Sequence, residues 1–376
     1  MVGFCVAVLN LLILGSMVKE NIFADAPHPA IWLPGTILAT CLIAALASQI
    51  ANRKSKIETP NWTFRFSLVA LAATLLLLIA GGLVTGREAG LAVPDWPRSY
   101  GYNMFFYPLT KMRGNIFFEH AHRLLGVLVG LTTVALAIHL WATERRRWMW
   151  VVAAVAVLAV AGQGVMGGFR VTEAVNPQGI EVATAAHETA ASETLRVAHG
   201  IAAQLFFAFL ACVAAMVSGA WQTARPVKLP GARGLCIVTL TLLLTQLLLG
   251  AWLRHRSDAT LILHIAAAAL ILFIGLGAGI RATEAGKGSG LRRLGFGLLT
   301  LIVLQPLLGV VALLVRSPRG QTPAGIDVAF TTAHQLTGAI LLASGAALTV
   351  LVCRVTRGED TGGQAASGTP RHEEAR

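Results

Sequence analysis

Charge is the scarcest property of this sequence. Asp, Glu, Lys and Arg supply 13% of the 376 residues, whereas 55% are hydrophobic and the mean hydropathy is +0.68. A soluble domain of this length needs a larger polar share to cover its surface, so that class is excluded and an integral membrane protein is indicated. Cysteine is scarce too, and its spacing excludes two further classes. Cys5, Cys41, Cys212, Cys236 and Cys353 form neither CxxC nor CxxCH. All five lie in or at the ends of apolar runs, so neither a structural disulfide nor a covalently attached c-type haem is expected.

What the chain has in abundance is long apolar stretches. Ten are long enough to cross a bilayer of about 30 Å as helices: 2–18, 30–50, 66–86, 119–142, 149–169, 197–218, 234–253, 261–280, 294–315 and 330–352. "FADA" at 23–26 has the small residues that end a signal peptide, but the stretch before it lacks a basic start and Pro27 would follow the cut. A retained first helix is therefore expected.

The few charges are distributed unevenly. Loops 51–65, 144–148, 219–233 and 281–293, with the tail from Arg354, hold 18 of the 30 Lys and Arg and carry nearly the whole net charge of +12. Basic loops mark the cytoplasmic face, which puts both termini inside a bacterial cytoplasmic (inner) membrane. The basic balance thus reports topology and anionic lipid, and no nucleic-acid partner is indicated. The polar, Gly- and Ser-rich end of the tail is expected to be disordered.

The last eight spans read as four helix pairs. In each, the odd helix ends in glycine-containing apolar sequence and an arginine, and the next helix opens with a histidine. "LLIAGGLVTGR" (77–87) goes with His122, "GQGVMGGFR" (162–170) with His199, "TQLLLGAWLR" (245–254) with His264, and "LQPLLGVVALLVR" (304–316) with His334. The spacing predicts all four histidines within the first turns of their helices, at one depth near the outer face. The expected fold is an all-α polytopic membrane protein of two pseudo-repeated four-helix bundles. Residues 1–60 form an extra hairpin, 61–225 the first bundle, 226–353 the second, and 354–376 a disordered cytoplasmic tail.

A lone intramembrane histidine is usually a packed, hydrogen-bonded residue. Four at one depth point to metal. A bis-imidazole b-type haem needs two histidines facing across a bundle, and His122 with His199, and His264 with His334, supply one pair per bundle. Zinc is the competing metal, but its sites gather three or four protein ligands. The spacing therefore indicates a membrane di-haem protein.

"GREAGLAVPDWPRSYG" (86–101), "EHAHRLLG" (119–126) and the later "VAHG" and "AHQLTG" helices together resemble haem A synthase, the membrane enzyme of cytochrome oxidase assembly. The resemblance spans about 66–352. It implies oxidation of the C8 methyl group of haem O to a formyl group, giving haem A, with oxygen from water and electrons passing to an acceptor such as a quinone. It assigns the substrate haem to His122 and His199 and a haem b to His264 and His334. Haem O synthase and cytochrome oxidase assembly factors become expected partners, and a homo-oligomer is compatible with it. Many members have cysteines flanking the Asp-Trp-Pro element; here those positions are Val93 and Ser99.

Glu119 and His122, three apart, share a helix face with Cβ atoms about 5–6 Å apart, which puts a carboxylate beside the haem edge as a proton acceptor. The competing role is to complement the helix N-terminus. His120, about 200° around the helix from His122, cannot share its iron and is expected at the interface or as a supporting donor. Arg87, Arg123, Arg170, Arg254 and Arg316 are candidate propionate contacts. His139 is expected to be structural, and His187 and His255 solvated. Trp96 and "NMFFYPL" (103–109) would either cover the substrate porphyrin or form an interfacial aromatic belt. Two other classes fit parts of the pattern. A di-haem cytochrome b exchanging electrons with quinone explains the histidines but not Glu119 or the Asp-Trp-Pro loop. A haem or small-solute transporter would favour polar groups at the midplane.

Overall fold

The computed structural model describes residues 61–174, 188–286, 289–318 and 321–356. The expected N-terminal hairpin, His187 and the end of the tail lie outside these residues. Among them are eight helices long and apolar enough to cross a membrane. They are α1 (Trp62–Gly86), α2 (Asn115–Thr143), α3 (Arg147–Thr172), α4 (Ala190–Val217), α5 (Ala232–His255), α6 (Leu261–Thr283), α7 (Gly290–Leu314) and α8 (Gly325–Val355). The protein is an all-α polytopic membrane protein.

Several helices start earlier or end later than their apolar windows. At 1.5 Å per residue, 23 to 31 residues span about 35–46 Å, more than the hydrocarbon layer, so polar turns continue the helix beyond it. In α4 the added turns carry Glu193 and Arg196, and Thr189 Oγ1 caps them by accepting from the Ser192 N–H at 3.1 Å. Asn61 and Ser289 cap α1 and α7 in the same way. Because of these extensions His122, His199 and His334 stand about two to three turns into their helices, whereas His264 stays in the first turn of α6.

Helices α1 to α4 pack each on its chain neighbour, and α1 closes on α4; α5 to α8 form a second ring in which α5 closes on α8. Helix α8 also packs on α1 and α4, joining the rings. This makes it deeply buried, with Leu342, Ala343, Ala346, Leu348 and Val352 in the main apolar cluster alongside Phe207 of α4 and Leu243 of α5. The α1–α8 contact is close because α1 offers glycine. A Cβ at Gly82 would come within 2.8 Å of Thr332, and one at Gly86 within 2.9 Å of Val328. Small residues four apart let membrane helices meet backbone to side chain, where apolar burial gains little from lipid. Large apolar side chains of α5 to α7, including Phe273, Leu307 and Leu314, remain exposed on the outside, as a lipid-facing surface requires.

Candidate functional site: two facing histidine pairs under a pinned loop

The four histidines meet in two pairs. The rings of His122 and His199 are 6.3 Å apart, centroid to centroid, with planes at 82°; those of His264 and His334 are 6.4 Å apart at 72°. Each imidazole rests on a glycine of the preceding helix. A Cβ at Gly81 would stand 3.1 Å from Cε1 of His122, at Gly167 3.1 Å from that of His199, at Gly250 3.0 Å from that of His264, and at Gly309 2.9 Å from that of His334. The glycine in each odd helix is thus the seat of the ring that follows it. The Nδ1 atom of all four histidines is buried without a hydrogen-bond partner. Backbone groups of Leu77, Gln163 and Gln305, each four residues before the seat glycine, lie beside the rings of His122, His199 and His334.

These residues fit porphyrin iron. A metal–imidazole bond of about 2 Å, plus about 1 Å from nitrogen to ring centroid, separates two rings on opposite sides of one ion by about 6 Å. Both pairs have that separation as they stand. Among the described residues no three His, Cys, Asp or Glu side chains converge as a zinc site would need.

The loop between α1 and α2 packs on α3 beside the seat of His199, and its structure explains the Asp-Trp-Pro sequence. Strands β1 (Arg98–Ser99) and β2 (Tyr102–Asn103) form a two-residue hairpin with Ser99 opposite Tyr102. Its turn, Tyr100-Gly101, has positive φ at both residues, 51° and 77°, the pattern of a type I′ turn. Asp95 makes this turn possible: its two carboxylate oxygens accept the N–H groups of Tyr100 (2.6 Å) and Gly101 (2.8 Å). Trp96 lies flat on α3, where a Cβ at Gly168 would come within 2.3 Å of the indole. The paired glycines 167 and 168 therefore seat His199 and Trp96 respectively.

Glu119 and Arg123 fasten the loop to α2. Glu119, 4% exposed, accepts from the Val93 N–H at 2.7 Å and from Arg123 at 2.6 Å. The Arg123 guanidinium also donates to the carbonyls of Val93, Asp95 and Arg98 at 2.7, 2.6 and 3.1 Å. Val93 and Ser99 are both fully buried; Ser99 Oγ bonds His120 Nδ1 at 3.1 Å. His120 is itself buried and packs on Tyr107 at 4.9 Å, so it anchors the loop and is not at the interface. Burial holds the hydroxyls of Tyr100 and Tyr107 above the ordinary tyrosine pKa.

The arginines have separate fates. Arg123 belongs to the loop clasp. Arg316 pairs with Asp258 at 2.8 Å, Arg170 with Glu188 at 3.3 Å, and Arg87 lies 4.5 Å over the Phe118 ring. Arg254 reaches from α5 to Gly86 of α1 and keeps a buried Nε without a hydrogen-bond partner. His255, expected to be solvated, instead stands among Arg196, Arg254, Arg170 and Arg256. His139 is buried at the far end of α2 beside Thr63 (3.1 Å) and Phe66, as a structural residue should be. Sequence reading missed the turn-holding carboxylate of Asp95 and the seat-by-seat use of the glycines. The doubled glycines at 81–82 and 167–168 were the available signal.

Fold and site together define a multi-pass membrane protein built to present two facing histidine pairs. Residues 101–264 match the family model of the cytochrome oxidase assembly protein, COX15-CtaA. The match includes Glu119, His122 and His199 and ends on His264. No curated protein and no solved structure matches the chain.

Proposed function

We propose that this protein is a haem A synthase, oxidising the C8 methyl group of haem O to the formyl group of haem A, with water supplying the formyl oxygen and an acceptor taking the electrons. The observation that carries this is the pair of facing imidazole sites, one of which has a buried carboxylate three residues from a ring under a pinned loop. His122 and His199 would hold the substrate, haem O, and His264 and His334 a resident haem b. A haem b held by His264 and His334 would supply an iron able to relay electrons from the first site to an acceptor of quinone type. Oxidation of a methyl group also sheds protons. Glu119 stands as the carboxylate that receives them, with the Val93 N–H and Arg123 holding it in place. The loop keeps bulk water from that carboxylate, and Arg254, with its unpartnered Nε, is the best placed arginine to meet a propionate. The farnesyl tail of haem O suits entry from lipid. The protein would lie in the bacterial cytoplasmic membrane, termini inside and haem sites near the outer face. Haem O synthase would supply it and assembly factors of the oxidase receive its product.

Pigment extraction from purified protein tests this. Haem O or haem A beside haem b is expected. Haem b alone at both sites would select the di-haem electron carrier instead.

A further inference from the structure

The four ring-on-glycine seats are alike, but the residue one turn before each glycine is not. In the second ring of helices it is glutamine both times. Gln246 Nε2 donates to the main-chain carbonyl of His264, and Gln305 Nε2 to that of His334, each at 3.0 Å. In the first ring the equivalent of α1 is Leu77, whose side chain packs into the apolar cluster of Leu125 and Leu128. Gln163 of α3 meets His199 through its backbone, and among the described residues its side-chain amide makes no tie to the His199 carbonyl. A second difference lies one turn after the histidine. A Cβ at Gly338, four residues past His334, would come within 2.9 Å of the Gln305 amide, whereas Gly126, four past His122, has nothing within 4 Å.

Where lipid surrounds a helix pair, a side-chain amide reaching a neighbouring helix's carbonyl competes with little water and fixes both register and rotation. It does so here at the height of the imidazole. Groups that orient a metal ligand from behind control how tightly the metal group is held. The second pair is held by two such ties and the first pair by none.

We propose that Gln246 and Gln305 are positioning residues that lock the His264–His334 site around a porphyrin that stays, and that the untied His122–His199 site is thereby left free to exchange its porphyrin. This rests on the proposal that both pairs hold haem, and it adds the reason one site is a cofactor site and the other a substrate site.

The test follows porphyrin loss from full-length purified protein to excess apomyoglobin, with extraction to identify each pigment. Gln246→Leu and Gln305→Leu, which install the residue found at position 77, should release haem b about 10–100-fold faster. The first-site haem should leave at its former rate and the melting temperature should barely move. Unchanged haem b release, or equal acceleration at both sites, overturns the proposal. Should either glutamine variant fail to fold, the reciprocal Leu77→Gln decides: slower release from the first site is expected, and an unchanged rate overturns the idea. A failure of the functional proposal looks different, because wild-type protein would then yield haem b alone on extraction, with no haem O or haem A, before any glutamine is altered.

Discussion

A missing Cβ decides where each imidazole sits. Alanine in place of glycine inside a helix ordinarily stabilises it by up to about 1 kcal/mol. At Gly309 the added Cβ would meet the His334 ring at 2.9 Å, so the ring must shift by a few tenths of an ångström. Gly309→Ala should therefore leave thermal stability equal or higher while weakening haem b retention by about 10–100-fold, read by titration of haem into the stripped protein. Undiminished retention would mean that the seat does not fix the ring. Glu119 poses the other single-residue question, because its carboxylate both fastens the loop and is the proposed proton acceptor. Glutamine can still accept from the Val93 N–H but cannot take up a proton. Glu119→Gln should keep both haems and lower haem O conversion by about 10²–10⁴-fold. Conversion at the wild-type rate would reduce Glu119 to an anchor.

At the scale of the element, the loop after α1 does without a disulfide. Its fastening is the Glu119–Arg123 pair, whose side chains are 5% and 9% exposed. Arg123→Ala would strand a buried carboxylate, a change that costs about 3–5 kcal/mol. All three tyrosines of the chain, Tyr100, Tyr102 and Tyr107, lie in this loop, so tyrosinate absorbance reports it alone. Tyr100 and Tyr107 are raised in the folded protein mainly by burial. The stability they lend is complete below about pH 10 and is lost as the pH rises through their folded values. Alkaline titration should show late ionisation of these two in the native protein, and ionisation near pH 10 in Arg123→Ala. Late ionisation persisting in that variant would show that the clasp does not hold the loop. The helices were legible because apolar runs need no partner to declare themselves, and so were the four histidines, which recur at one place in a repeated unit. Arg123 was not, since an arginine near a haem site reads equally as a propionate contact until the loop's carbonyls are seen folded back onto it. For His120 the sequence left two places open, the interface or a supporting role, and only its contacts with Ser99 and Tyr107 select the second.

For the whole molecule, two closed rings of helices share α8 as a common wall. Each histidine pair is completed within its own ring, and the rings meet through Gly82 and Gly86 against Thr332 and Val328; Gly82 follows the seat Gly81 directly but faces α8, whereas Gly81 faces His122. Occupancy of one site should then depend little on the other. His264→Ala should abolish the haem b signal in purified protein while haem at His122 and His199 is retained. Equal loss of both from a folded protein would contradict independent sites. The boundary between the rings was legible in the basic stretch at 219–233. The glutamine ties and the glycine contact between rings were not, because they depend on which helix faces which. Oxidation of haem O is measured without competing background in membranes of cells that lack a haem A synthase of their own. Supplied with this chain, such membranes should convert haem O to haem A, as identified by porphyrin extraction. Membranes in which the protein is present with both histidine sites occupied, yet haem O accumulates and no haem A forms, would contradict the account.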